Sequence, residues 1–171
     1  MRLLITSGYK PSCCSIIKKS GITYDEFCNL KMTTKKESQF KEYSLKNFTT
    51  EELIKGVLNN KIPLYLNQLF RERQLTKEQL IEILDSSEFK KKTKVMGSDI
   101  STRDSAIRSM VKQQKNCDGE ILEKFYEKFS SDPDCFCIDA LKFIGNIKKK
   151  EVAERCRKNM PDELKLLLEL M

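Results

Sequence analysis

Residues 49–84, TTEELIKGVLNNKIPLYLNQLFRERQLTKEQLIEIL, decide the fold class. Thr49 with Glu52 forms a capping box, in which hydroxyl and carboxylate each satisfy a backbone N–H that a helix start leaves open. Behind it, Leu53, Ile54 and Val57 recur at helical spacing. Pro63 suits the first turn of a second helix, whose apolar residues Leu64, Leu66, Leu69 and Phe70 run to Arg71–Arg73. Thr76 with Gln79 caps a third, carrying Leu80, Ile81, Ile83 and Leu84. Short capped helices, each with one greasy stripe, follow one another closely.

The same punctuation continues towards the C-terminus. A segment over Glu88–Val95 reads as a weaker helix stopped by Gly97. Ser101 caps a stretch through Ala106, Ile107, Met110 and Val111, and Asp118 leads into Ile121, Leu122, Phe125, Tyr126 and Phe129. Pro133 opens a helix through Phe136, Ile138, Ala140, Leu141 and Ile144, and Lys148–Lys158 and Pro161–Leu170 complete the chain. Towards the N-terminus, Pro11 opens a helix to Lys19, and Thr23 with Glu26 caps another over Tyr24–Leu30. Residues 32–47, polar and lysine-rich, read as a linker with one turn of helix. No segment alternates convincingly with period two. The expectation is an all-α chain of about nine or ten short antiparallel helices, with residues 1–47 a basic helical hairpin and linker and 48–171 the main body. Isolated helices below about 12 residues are marginal in water. Burying each Leu, Ile or Phe contributes about 1.5–3 kcal/mol, so packing of the stripes must hold the body together.

Composition narrows function. Six glycines and four prolines in 171 residues are too few for a sandwich or barrel. With no histidine, Ser-His-Asp and Cys-His nucleophilic sites, His bases and imidazole zinc sites are excluded. There is no GxxxxGK[ST] or GxGxxG loop for a nucleotide. Cys13, Cys14, Cys28, Cys117, Cys135, Cys137 and Cys156 are odd in number and follow no secretory signal. They read as free thiols in a reducing cytoplasmic or nuclear setting. Four of them, Cys13 or Cys14 with Cys28, Cys135 and Cys137, would suffice for a thiolate zinc site, but paired C-x₂-C knuckles are absent and no metal or cofactor is expected. Cys135, near a helix start, is the least remote cysteine nucleophile. The pairs Glu51/Glu52, Glu120/Glu123 and Asp132/Asp134 fall at helix starts, as caps and first-turn residues do. No run approaches the ~18 apolar residues of a membrane span.

The net charge is +7, and residues 1–50 hold nine basic against four acidic side chains. Such a field favours an acidic partner. Candidate contacts are the runs Lys35-Lys36, Lys90-Lys91-Lys92 with Lys94, and Lys148-Lys149-Lys150, together with Arg71, Arg73, Arg103 and Arg108. On one face they would form a stripe for an acidic surface or for phosphates. Taken singly, a lysine run at a helix end is also what the negative end of the helix dipole favours. Phe125, Tyr126, Phe129, Phe136 and Phe143 lie at core spacing rather than interleaved with lysine, which argues against a base-stacking platform.

Two segments resemble known motifs. Glu120–Ile147, EILEKFYEKFSSDPDCFCIDALKFIGNI, resembles a HEAT-type helical repeat. Asp132-Pro133-Asp134 supplies the turn, and small Ala140 is followed by Leu141 and Gly145 in the second helix. That resemblance implies stacked helix pairs forming a superhelix. The other helix pairs recur at about 25 residues against the ~40–47 of that family, which leaves an irregular bundle as the alternative. Cys13–Leu30, CCSIIKKSGITYDEFCNL, resembles a helix-turn-helix through Ile16, Gly21, Ile22, Phe27 and Leu30. Ile17 stands where that motif has a small residue, and the second helix opens on Tyr24-Asp25-Glu26. A plain helical hairpin accounts for the same residues. The expected function is a non-enzymatic binding module for a macromolecule with an acidic surface, a protein rather than a small-molecule substrate, with nucleic-acid binding as the alternative.

Overall fold

The computed structural model describes residues 37–59, 61–62, 64–86, 89, 92–95, 98–131 and 137–171, with the backbone alone for 37–40, 92–95, 98–102, 104, 137 and 138. The described residues form an all-α fold of nine helices with one small hairpin between the fourth and fifth. The chain divides into two compact units, Met1–Tyr65 and Leu66–Met171.

In the first unit, α1 spans Glu37–Asn47 and α2 spans Thr50–Leu58. Both halves of the Thr49–Glu52 capping box are made. Leu53, Ile54 and Val57 are buried, as their spacing requires. Where residues 32–47 read as linker, the structure has three turns of helix from Glu37. The reason is tertiary: Tyr43 and Ser44 are buried, and the Tyr43 ring meets Phe48 edge-on at 5.9 Å. That burial outweighs the weak periodicity of the segment.

The second unit contains α3 (Leu66–Glu72), α4 (Lys77–Asp85), strands β1 (Lys92–Val95) and β2 (Ser98–Ser101), then α5 (Thr102–Gln113) and α6 (Gly119–Phe129). It ends in α7 (Cys137–Gly145), α8 (Lys150–Arg157) and α9 (Asp162–Leu170). Where the sequence leads to a helix over Glu88–Val95, residues 92–95, the part described as regular structure, are a strand. Lys92–Val95 pairs antiparallel with Ser98–Ser101 instead, in register from Lys92↔Ser101 to Val95↔Ser98. The sequence explains the outcome: lysines at 90, 91, 92 and 94 would repel at i, i+3 and i, i+4 on a helix. Thr93 and Val95 are β-branched, and Met96-Gly97 carries the glycine that two-residue hairpin links favour.

Helix α5 is the hub, with α3, α7, α8 and β1 packed on it, while α6 takes α4 and α8. Leu69, Phe70, Leu80, Ile83, Ile107, Met110, Val111, Ile121, Leu122 and Phe125 form the core, and Phe89 joins Phe125 and Phe129 in an aromatic cluster. The Thr76–Gln79 capping box and the Asp118 cap of α6 are both present. Among the described residues no helix is long and apolar enough to cross a membrane.

Stacking has a constant register. Asn67 on α3 donates to Ser105 on α5, and the linker after α3 bonds to the end of α5 through Gln74 and Gln113 and to the linker after it through Leu75 and Gln114. At the far ends of α4 and α6, Asp85 pairs with Lys128. These partners lie about forty residues apart and increase together along the chain, so α3–α4 and α5–α6 lie in parallel register as successive copies of one helix–loop–helix unit. The α8–α9 linker continues the series, since Asn159 bonds to Asp118. The bonded linkers therefore lie near forty residues apart, with α7 standing between the second and third pairs and packing on α5 and α9. Pro63, the residues before 37 and the Asp132-Pro133-Asp134 turn lie outside the described residues. So do the helix-turn-helix resemblance and Cys13, Cys14, Cys28 and Cys135.

Candidate functional site

The basic residues singled out by the sequence are scattered in kind. Arg71 is exposed on α3, and Arg73 is half-buried in the next linker, its Nη1 directed at the Glu72 carbonyl at 3.3 Å. Arg103 is 3% exposed, with its guanidinium carbon 5.1 Å from the centre of the Phe129 ring, so it belongs to the core and not to an outer stripe. Arg108 lies 5.2 Å from the Phe143 ring and directs Nη2 at the Asp139 carbonyl. Lys112 Nζ approaches the same ring at 5.0 Å. Phe143 is thus half-buried beneath two cations rather than in the core. Lys148, Lys149 and Lys150 are exposed, and they stand at the start of α8, the positive end of its dipole, where cations are disfavoured. Lys150 Nζ sits 3.8 Å from Glu154. Lys35, Lys36, Lys90 and Lys91 lie outside the described residues, and Lys92 and Lys94 are described as β1 backbone alone.

What the fold does bring together is the three linkers between paired helices. Gln114, fully buried, accepts from Leu75 N at 2.8 Å and donates to the carbonyls of Phe70 at 2.6 Å and Arg73 at 2.7 Å. It thereby satisfies groups that the end of α3 leaves open. Gln74 donates to Gln113 O and accepts from Lys115 N, and Asn116 donates to Leu75 O at 2.7 Å. On the other side, Gly119 N donates to Lys158 O at 2.8 Å and Asn159 donates to Asp118 Oδ2 at 2.9 Å. Arg155 from α8 directs Nε to Cys117 O at 3.1 Å and Nη2 to Val111 O. Asn159 adopts a left-handed backbone, φ 57°, just past the end of α8, a conformation asparagine tolerates better than most residues.

Along this edge runs an open cleft of about 400 Å³, lined by Thr76, Lys77, Glu78, Lys115, Asn116, Asp118, Arg155, Lys158 and Asn159. Its charges fall into two classes. Lys77 is neutralised, with Nζ 2.8 Å from Asp118 and 2.8 Å from Glu120. Those hydrogen bonds, Asp118's first, push its pKa up to about 12. Burial alone would raise the Asp118 carboxyl, but its bonds from Lys77 and Asn159 outweigh burial and hold it below the usual range. Lys115, Arg155 and Lys158, by contrast, have no carboxylate partner among the described residues. The guanidinium of Arg155 is fixed by carbonyls, which orient it without cancelling its charge. Burial pushes the Cys117 and Cys156 thiols up, so at neutral pH they are inert apolar fillers behind the edge.

The sequence carried a signal for this edge. Arg73-Gln74-Leu75-Thr76-Lys77-Glu78, Lys115-Asn116-Cys117-Asp118-Gly119-Glu120 and Lys158-Asn159-Met160-Pro161-Asp162-Glu163 share one pattern: cation, amide, apolar residue, helix cap, any residue, glutamate. Leu75, Cys117 and Met160 are all buried. The copies contain no lysine run, so a search for runs passes over them. No protein-family model matches the chain, and no curated protein or solved structure matches it either.

Proposed function

We propose that the chain is a non-enzymatic helical binding module, a protein–protein interaction or adaptor element whose partner presents an acidic surface. The observation that carries this reading is the register of the helix pairs. Three copies of one loop, repeating near forty residues, are hydrogen-bonded side by side into a continuous polar edge. Stacked helix pairs in solenoid proteins use extended surfaces of this kind for macromolecules. The repeat length also falls within the ~40–47 residues of HEAT-type arrays, the family that residues 120–147 resemble. The free thiols Cys117 and Cys156 suit a reducing intracellular compartment.

Nucleic-acid binding is the second reading, favoured by the exposed lysines 148–150 and the net charge of +7. One pair of measurements separates the two. Tagged full chain should retain a protein in stoichiometric amount at physiological salt. Its retention on duplex or single-stranded nucleic acid should be weak at every salt concentration. Tight nucleic-acid binding that collapses as salt is raised, with no protein retained, overturns the adaptor reading.

A further inference from the structure

We infer that the cleft along the three stacked loops is a docking site for an acidic peptide segment of the partner, held by Lys115, Arg155 and Lys158 and aligned by Asn116 and Asn159. The inference rests on the binding-module reading and adds to it the place of contact and the chemistry recognised.

Charge complementarity comes first. Three cations without a carboxylate partner among the described residues border one cleft, and one of them is oriented in advance by two carbonyl oxygens. A guanidinium has five N–H donors, and Arg155 gives two to those carbonyls, so three remain for an incoming anion. Orientation fixed beforehand lowers the ordering cost of binding.

The amides narrow the class of anion. Asn116 and Asn159 each direct an Nδ2–H to the neighbouring loop, at Leu75 O and at Asp118 respectively. Neither Oδ1 accepts a hydrogen bond among the described residues, so each keeps its acceptor capacity, and both residues line the cleft. A peptide offers both matching features: carboxylates for the cations and backbone N–H groups for the amide oxygens. A DNA backbone offers dense charge and no hydrogen-bond donor, and an RNA backbone offers only its 2′-hydroxyls. The Glu78 carboxylate on the same wall would also repel closely spaced phosphates, while acidic side chains separated by neutral residues can avoid it.

The test uses full chain and a fluorescent peptide of about ten residues alternating glutamate and serine, followed by anisotropy at about 0.1 M salt. Wild type should bind it and should bind the glutamine-for-glutamate peptide at least about tenfold less tightly. The double variant Lys115→Glu/Lys158→Glu alters two exposed side chains and should lose affinity by at least about tenfold. Lys148→Glu/Lys149→Glu, with the same change in net charge outside the cleft, should lose less than about threefold. Equal losses in both double variants, full affinity in the cleft variant, or equal binding of the two peptides would each overturn the inference. So would tighter binding of a single-stranded oligonucleotide of equal charge. If the cleft variant loses the peptide yet still retains the stoichiometric protein partner, the cleft assignment fails while the adaptor reading stands. If wild type retains no protein partner, the adaptor reading itself fails.

Discussion

Between the first and second loops the connection is made by side chains: the amides of Gln74, Gln114 and Asn116 reach across to carbonyls and backbone N–H groups. Between the second and third, the two backbones themselves touch. Gly119 N bonds directly to Lys158 O, and a Cβ built on Gly119 would lie 2.5 Å from Met160 Cα and N. The same stacking step is therefore achieved in two ways. Amide bridges tolerate a gap but fail if a polar group is deleted. Backbone contact tolerates no added atom. Sensitivity at the first junction should be chemical, and at the second steric.

The largest effect should come from the steric junction. Gly119→Ala forces Met160 backbone to move and should cost about 3 kcal/mol, read from urea denaturation. Gly145→Ala, whose new Cβ would meet nothing nearer than Leu168 O at 3.6 Å, should change stability by less than about 1 kcal/mol. Comparable values for the two glycines would remove the close approach. Next in size is the chemical junction. Gln114→Leu keeps the volume similar but strands Leu75 N–H and two carbonyls, for a loss of about 2 kcal/mol. A neutral result would mean that water replaces the amide and the bridge is dispensable.

The smallest expected effect lies in pH and concerns the Lys77–Asp118 pair shared by the two junctions. Asp118 is depressed in the folded state, so its contribution is present above the ordinary carboxylate pKa of about 4 and is lost as pH falls through its folded value. Lys77 is raised to about 12, so its contribution is present below the ordinary lysine value and is lost as pH climbs towards that figure. Thermal melts should be insensitive to pH around neutrality and weaken at both extremes. Asp118→Asn should flatten both limbs, since it removes the depressed carboxyl and the first partner of Lys77. Unchanged limbs in that variant would show that the pair contributes nothing to the pH response.

Legibility in the sequence followed the range of each signal. Capping boxes at Thr49 and Thr76, the Asp118 cap and the stripes Leu53-Ile54-Val57 and Ile121-Leu122-Phe125 are complete within a turn or two, and the structure contains them. Helix α1 is not legible locally because its stability depends on burying Tyr43, which a weak local period does not announce. The paired strands 92–95 and 98–101 are hard to tell from a helix end in the sequence because a helix stop and a hairpin link both use glycine. The cleft was harder still. Lys115 stands about forty residues from the short Arg155-Cys156-Arg157-Lys158 stretch, and their neighbourhood exists only once those segments are in register. Buried Arg103 shows the converse: an arginine counted as surface charge is held against Phe129 in the core.

The middle loop is bonded on both sides, to residues 70–75 through Gln114 and to residues 155–160 through Cys117, Asp118 and Gly119. Among the described residues its neighbours each have one such seam. In an array held by nearest-neighbour seams, unravelling begins at the outer members. The amide hydrogens of Leu122 and Gln114, one at the start of α6 and one at the end of α5, should accordingly be the last to exchange with heavy water. Amides at the far end of α9, near the exposed Leu170, should trade theirs first.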